Sequence, residues 1–183
     1  MSVQTMHHGQ AAFLLSFLLP QLKSEQVITH KILSSVPQGQ GEYRPHPKSR
    51  SALELGRHIV LCEMWFLDAV INRQFGEIVR PNAPMQTCQE VAHWYAISFH
   101  ERIPILEALS DADLATPVPY LDLRNDPAVA YLNIAIRHSV HHRGQLSAYL
   151  RGVGAAVPAI YVESADEPYP STDGTVASQP PAF

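Results

Sequence analysis

Four apolar-periodic segments, each about 20 residues long, constrain the fold of this chain more than any other feature. In each segment apolar side chains recur at intervals of three and four residues, which is the period of an amphipathic α-helix. The predicted helices cover about residues 10–33, 51–73, 87–109 and 126–152. Because no set of alternating, strand-like segments accompanies them, the sequence predicts an all-α fold, an up-and-down four-helix bundle.

Local signals indicate where three of these helices begin. Ser51 is followed three residues later by Glu54, which is the spacing of a capping box, and residues 87–90 repeat the pattern with threonine. Asp126 precedes a proline, and this pair is typical of an N-cap followed by the first helical position. A glycine at position 152 or 154 is expected to end the fourth helix.

Prolines interrupt the helical pattern in two places. Pro20 and Pro104 lie inside the first and third predicted helices, so each predicts a kink or a break. Residues 110–125 are predicted to be irregular, with a short extended stretch at 118–123. We expect residues 1–157 to form one bundle domain and residues 158–183 to form an extended, Pro-rich tail that becomes disordered near its end.

Composition excludes several classes of function. The formal net charge is −4 and no basic stripe is present, which argues against nucleic-acid binding. The longest apolar run, at residues 11–19, is about half the roughly 20 residues that a membrane-spanning helix needs. No signal peptide is recognisable. Cys62 and Cys88 are read as reduced core residues, which predicts a cytoplasmic protein. The short apolar run predicts that the protein has no membrane partner.

The fourth predicted helix carries a histidine pair. His138 and His142 are four residues apart and therefore project from the same face of a helix, close enough to share one divalent metal ion. The spacing alone is not specific. His141 is a rival to His142 because a three-residue offset also places it near His138, but His142 continues the face through Gln145.

A third histidine ligand is available on the second helix. His58 lies in the middle of that helix's apolar stripe, and a bundle places metal sites in its core from facing helices. Three histidines and a water molecule are the ligands expected of a catalytic zinc. Position 139 is serine, so the glutamate of the H-E-x-x-H zincin motif is missing. His93 and His100 are read as surface or boundary residues.

Three parts of the chain together resemble a known protein family. Residues 138–146 (HSVHHRGQL) with His58, together with residues 43–55 and 160–167, resemble the DinB/YfiT-like superfamily of four-helix-bundle metalloproteins. The resemblance covers nearly the whole chain and fails only at the extreme tail. The family name refers to DNA-damage induction of expression and does not imply binding to DNA.

The resemblance implies a divalent metal site formed by His58, His138 and His142. It further implies nickel or zinc as the ion, and a homodimer. Related members include thiol S-transferases that act with bacillithiol and a mycothiol-dependent isomerase. A low-molecular-weight thiol is therefore an expected small-molecule partner.

Three functions remain open at this point. The leading hypothesis is a metal-dependent enzyme with thiol S-transferase or hydrolase chemistry, because a bound metal ion lowers the pKa of a ligated water or thiol. Candidate catalytic helpers are Glu54, Gln145 and Arg143, although Arg143 is expected to face solvent. The alternatives are a non-catalytic metal-binding module of a stress response, and a metal-free bundle whose histidines only pack.

Overall fold

The computed structural model describes residues 5–168, which form five helices and one antiparallel β-hairpin. In chain order the elements are α1 (His8–Ser34), α2 (Ala52–Asn72), α3 (Cys88–Glu107), α4 (Asp111–Ala115), β1 (Pro117–Tyr120), β2 (Arg124–Pro127) and α5 (Ala130–Gly152). The fold is mostly helical, as predicted. The short helix α4 and the pairing of β1 with β2 were not anticipated. No helix in this part of the chain has the length and apolarity needed to cross a membrane.

The four long helices enclose the hydrophobic core. Helices α1 and α2 each pack against both α3 and α5, while α4 packs on α1. The core contains fully buried side chains from every long helix, among them Leu22, Met64, Tyr95 and Leu132. This arrangement places α2 and α5 side by side, although the whole of α3 and the hairpin separates them in sequence.

The capping box predicted at the start of α2 is complete, whereas the one predicted at the start of α3 is only half formed. Ser51 caps α2 by accepting the Glu54 N–H, and the Glu54 carboxylate accepts the Ser51 N–H at 2.7 Å, which completes a capping box. Thr87 accepts the Glu90 N–H in the same way at α3. The Glu90 carboxylate instead accepts the N–H of Gln86, so the reciprocal half of this box is shifted by one residue.

The predicted start of the fourth helix at Asp126 is wrong. Asp126 belongs to β2, where it pairs with Val118 of β1, and α5 begins only at Ala130. The Asp126 carboxylate binds Arg124 at 2.6 Å rather than capping backbone N–H groups. The hairpin is held further by the hydroxyl of Tyr131, which donates to the Val118 carbonyl at 2.7 Å. The strand pairing with Val118 and the ion pair with Arg124 in the same strand together outweigh the local capping signal.

The interior prolines do not break their helices. Helix α1 runs continuously through Pro20, and α3 runs continuously through Pro104. Each proline removes one backbone donor, but buried residues flank both positions. Leu18 and Leu22 are buried on either side of Pro20, so packing keeps the helix intact there.

The connection between α1 and α2 is fixed onto α5. The Tyr149 hydroxyl donates to the carbonyl of Arg50 at 3.3 Å, and the ring of Tyr43 packs edge-on against that of Tyr149. Tyr43 also lies so close to Gly152 that a β-carbon there would overlap its hydroxyl. Gly152 therefore permits the connection to lie directly on the end of α5.

The described part of the tail, up to residue 168, has no regular element and lies along helices α1 and α5. Glu167 forms a salt bridge with Lys31 of α1 at 2.6 Å, and Asp166 forms one with Arg151 of α5 at the same distance. The prediction of disorder for the end of the tail concerns residues 169–183, which lie outside the described residues.

Candidate metal centre

The structure brings together the three histidines predicted to bind metal. The Nε2 atom of His58 lies 3.1 Å from Nε2 of His142 and 3.1 Å from Nε2 of His138. His58 comes from α2 and the other two from successive turns of α5, so the close packing of these helices creates the convergence. We refer to His58, His138 and His142 as the histidine cluster.

The donor set of the cluster fits a metal ion. Two nitrogens bound to one ion at about 2.0–2.1 Å would be about 2.9 Å apart at a right angle and about 3.4 Å apart at a tetrahedral angle. The observed separations of 3.1 Å lie between these values. Each nitrogen of a neutral imidazole offers either one proton or one lone pair. His58 Nε2 therefore cannot form a good hydrogen bond to both neighbours, whereas an ion would engage all three nitrogens.

The surroundings keep these imidazoles neutral near pH 7. Burial lowers the pKa of both His58 and His138 to about 4, and the neighbouring histidines and the charge of Arg50 act in the same direction. Burial also lowers the pKa of His142. A metal ion binds only the unprotonated ring, so protons do not compete for the cluster at neutral pH.

Gln145 orients the outermost ring of the cluster. Its side-chain oxygen lies 2.8 Å from Nδ1 of His142 and accepts the Nδ1 proton, which leaves the lone pair of Nε2 directed into the cluster. The amide nitrogen of Gln145 lies 3.2 Å from Nε2 of His141. His141 is exposed; its Nε2 contacts Gln145, and its ring packs edge-on against that of His142. The buried Nδ1 of His138 has no hydrogen-bond partner among the described residues.

Cys62 is a member of the site that the sequence interpretation missed. It was read as a small core residue, but its Sγ lies 3.4 Å from Nδ1 of His58. His58, Cys62 and His138 offer ligand atoms that all lie within 4.8 Å of one another, so this group can hold a metal ion. The available signal was the four-residue spacing from His58 to Cys62, which places both side chains on one helix face.

Two of the three candidate helpers have other partners. The Glu54 carboxylate is exposed, lies 3.5 Å from Arg44, and has a pKa lowered chiefly by its hydrogen bond to the Ser51 backbone. The expectation that Arg143 faces solvent is wrong, because its side chain is 2% exposed. Residue 143 is rotated by about 100° from His142 around the helix, which directs it toward α1 instead of the cluster.

Arg143 belongs to a buried polar network that the sequence interpretation did not identify. Its guanidinium binds the Glu25 carboxylate at 2.6 Å and donates to the Thr29 hydroxyl and to the Tyr161 hydroxyl of the tail. Around the same part of the core, the Glu63 carboxylate accepts hydrogen bonds from two hydroxyls. The buried polar network comprises Glu25, Thr29, Glu63, Tyr95, Ser139 and Arg143.

Glu63 is the most buried acid of this network. Tyr95 donates to one of its carboxylate oxygens at 2.6 Å, and Ser139 donates to the other. Burial raises the pKa of Glu63 to about 7, against the opposing effect of these hydrogen bonds. A signal was present in the sequence, because Glu63 interrupts the apolar residues 59–67 of the second helix.

A cleft of about 730 Å³ opens beside the histidine cluster. One wall is formed by residues 45–50 of the connection between α1 and α2, with Leu55 below them. The other wall is formed by His142, Gln145 and Tyr149 of α5. We call this space the His142 cleft. Its volume is within the range of about 300–1,000 Å³ that is typical of small-molecule sites.

Comparison with known proteins identifies the family. The family model of the DinB family matches residues 1–173 of this chain. The chain belongs to the DinB family. The predicted resemblance is thus confirmed over nearly the whole chain, including the helices that carry the cluster.

Individual relatives agree with this assignment. The uncharacterised protein YjoA of Bacillus subtilis strain 168 is 25% identical over 134 residues, which are 72% of this chain and 85% of YjoA. The crystal structure of YjoA, described as a DinB-like protein, superposes with a TM-score of 0.65 at 22% identity, covering 78% of this chain and 96% of YjoA. A DinB-like protein from Bacillus cereus ATCC 10987 gives 0.66 at 24% identity, covering 79% of this chain and 95% of that protein. The two structures establish a DinB-like fold.

Proposed function

We propose that this DinB family protein binds one divalent transition-metal ion, nickel or zinc, through His58, His138 and His142. The observation that carries the proposal is the convergence of three histidines at the junction of α2 and α5, where the Nε2 atoms of His138 and His142 each lie 3.1 Å from Nε2 of His58. In this proposal α1, α2, α3 and α5 form an up-and-down four-helix bundle, and the ion joins two of its helices.

The proposed activity is that of a metal-dependent enzyme acting on a small molecule. A metal ion with three histidine ligands has room for a further ligand, and it lowers the pKa of a water or thiol so that a nucleophile exists near pH 7. In the thiol S-transferase reaction, the thiol proton passes to solvent and the sulfur forms a bond to an electrophilic carbon. The leaving group departs with the electron pair of its broken bond. In the hydrolase reaction, water takes the place of the thiol.

The residues of the chain contribute orientation and access. Gln145 holds His142 in the tautomer that directs Nε2 to the cluster. The His142 cleft admits a small molecule to this same histidine. Glu54 and Arg143 are engaged elsewhere in the structure, so we assign neither a direct part in the reaction.

A second candidate function is a non-catalytic metal-binding module. The position of Cys62 favours it, because a fourth protein ligand would close the site, and closed four-ligand sites are typical of structural zinc. The two functions differ in whether the ion keeps an exchangeable position.

Metal analysis of protein purified without a histidine tag tests the proposal. We expect about one equivalent of a transition metal in the wild-type protein, and its loss in His58→Ala and His142→Ala. His141→Ala is the matched control, since that ring lies outside the cluster, and it should retain the ion. Stoichiometric metal in both cluster variants would reject the assigned ligands.

A cobalt-substituted sample separates the two functions. An open site should change its absorption spectrum when azide or 2-mercaptoethanol is added, whereas a closed site should not. The same titration with Cys62→Ser shows whether the thiol closes the site. A spectrum that responds only in the Cys62→Ser variant would favour the non-catalytic module.

A further inference from the structure

The charges that line the His142 cleft are all positive. Lys48 and Arg50 project from the connection between α1 and α2, and no aspartate or glutamate is among the lining residues. Within the described part of the chain, neither side chain forms a salt bridge. The nearest acid on α2, Glu54, is already bound by Arg44 at 3.5 Å. The charge of Glu54 acts on Arg50 as well as on Arg44, but no acid lines the cleft, which keeps an excess of positive charge.

Arg50 lies close to the histidine cluster. Arg50 and His142 line the same cleft, so the guanidinium is a fixed positive charge beside the proposed metal site. Fixed cations beside a site for a divalent cation disfavour the ion, because like charges repel. The three neutral imidazoles supply no negative charge to offset this repulsion. An anion in the cleft would offset it.

The wall that carries these cations is fixed before any ligand binds. The Arg50 carbonyl accepts the Tyr149 hydroxyl, and Tyr43 packs on Gly152 at the end of α5. The backbone of the connection is held further by the N–H of Ala52, which donates to the Tyr43 carbonyl at 2.9 Å. A ligand would thus meet a pre-organised wall, which reduces the entropic cost of binding.

We propose that the His142 cleft binds an anionic small molecule, with its acid group on Arg50 and Lys48 and its reacting end at His142. The guanidinium of Arg50 suits a carboxylate or phosphate because its N–H groups can bind two oxygens together. A cleft lined by charge of one sign also concentrates ligands of the opposite sign. This assignment rests on the proposed function, since it takes the histidine cluster as the place of reaction.

Two thiols that differ in a carboxylate test the proposal. In the cobalt-loaded protein we expect 3-mercaptopropionate to bind about fivefold more tightly than 2-mercaptoethanol, because only the former can pair with the two cations. The ratio of the two affinities should fall to about one in Arg50→Gln and decrease in Lys48→Gln, and this ratio cancels any effect of either variant on thiol binding itself. Raising the salt concentration should also reduce the preference.

Arg80→Gln is the matched control. Arg80 is an exposed arginine that is not part of the cleft lining, so this variant should keep the wild-type preference. Equal affinity of the wild-type protein for the two thiols would overturn the proposal. An undiminished preference in Arg50→Gln would do the same.

A titration of the metal-free protein separates this proposal from the metal centre. Succinate, followed by ¹⁵N NMR, should shift the amide signals of Ser49, Arg50 and Gln145 in the wild-type protein and not in Arg50→Gln. Succinate binding without any uptake of cobalt would retain the anion site and reject the metal centre. Cobalt uptake with neither succinate binding nor a carboxylate preference would reject the anion site alone.

Discussion

The histidine cluster and the buried polar network share helices α2 and α5 and differ in how their polar groups are satisfied. In α5, His138 and His142 belong to the cluster, and the residues that follow them, Ser139 and Arg143, belong to the network. The network pairs its polar side chains with one another across four helices. The cluster has nitrogens that face each other and a buried nitrogen without a partner among the described residues.

The paired groups of the buried polar network stabilise the fold, whereas the unpaired nitrogens of the histidine cluster can bind a ligand. Adjacent residues on a helix are rotated by about 100°, so the first residue of each pair joins the histidine cluster and the next joins the buried polar network. Buried polar groups that are fully paired stabilise one arrangement of the helices. Groups left unpaired in the folded protein are available to bind something else. Variants of neighbouring residues should therefore behave in opposite ways.

The largest effect is expected from Arg143→Met. This change leaves the largely buried Glu25 carboxylate without its counter-charge, although Tyr161 still donates to it, so we expect a loss of about 3 kcal/mol in the free energy of unfolding. Urea denaturation followed by circular dichroism measures it. The double variant Glu25→Gln/Arg143→Met should recover part of the loss. A loss below about 1 kcal/mol would show that the network is not stabilising.

Glu63→Gln should change the pH dependence of stability. The pKa of Glu63 is raised from 4.5 to about 7 in the folded protein, so the folded state holds this proton more tightly than the unfolded state does. Its contribution to stability is present below pH 4.5 and is lost as the pH rises to about 7. The wild-type protein should lose on the order of 3 kcal/mol from this group over that interval, relative to Glu63→Gln.

Urea denaturation of both proteins between pH 4 and pH 8 measures this difference. Other titrating groups contribute equally to the two curves, so their difference isolates Glu63. Parallel curves would mean that the carboxyl group titrates alike in the folded and unfolded states.

Metal binding should stabilise the protein by a somewhat smaller amount. At a free metal concentration of 100 times Kd, the free energy of unfolding should rise by about 2.7 kcal/mol, because the ion binds only the folded state. Thermal unfolding with zinc or nickel, before and after addition of a chelator, measures the effect. His58→Ala should show no such increase. An equal increase in that variant would place the ion elsewhere.

The smallest effect is expected from His142→Ala in the metal-free protein. The ring is half-buried and contacts Gln145 at the surface, so its removal should cost less than about 1 kcal/mol. This variant is the direct counterpart of Arg143→Met one residue away. The same urea denaturation measures both variants. Similar losses in the free energy of unfolding would show that the cluster and the network contribute alike to stability.

The long helices and the histidines were predictable because their signals are local and periodic. Helix α2 begins at the predicted capping box, and His58 lies on the face that the apolar stripe indicated. The pairing of His138 with His142 follows from helix geometry alone. Their meeting with His58 required only that the second and fourth predicted helices be neighbours.

The remaining features depend on contacts between distant parts of the chain. The capping signal at Asp126 was overridden by its pairing with Val118 across the hairpin, and the carboxylate binds Arg124 of the same strand. The burial of Arg143 depends on Glu25 of α1 and Tyr161 of the tail, and no periodicity within α5 indicates either partner. Lys48 and Arg50 likewise line the cleft with His142 because the connection between α1 and α2 is held on α5 by contacts of Tyr43 and Tyr149.

The histidine cluster joins residues that are 80 and 84 positions apart in the chain. A contact between such distant residues requires the closure of a long loop, so it forms after the local helical turns. A ligand that links His58 to His138 and His142 therefore acts mainly after the barrier to folding has been crossed. It should slow unfolding while leaving the folding rate nearly unchanged, so that occupancy of the cluster determines how long each molecule stays folded.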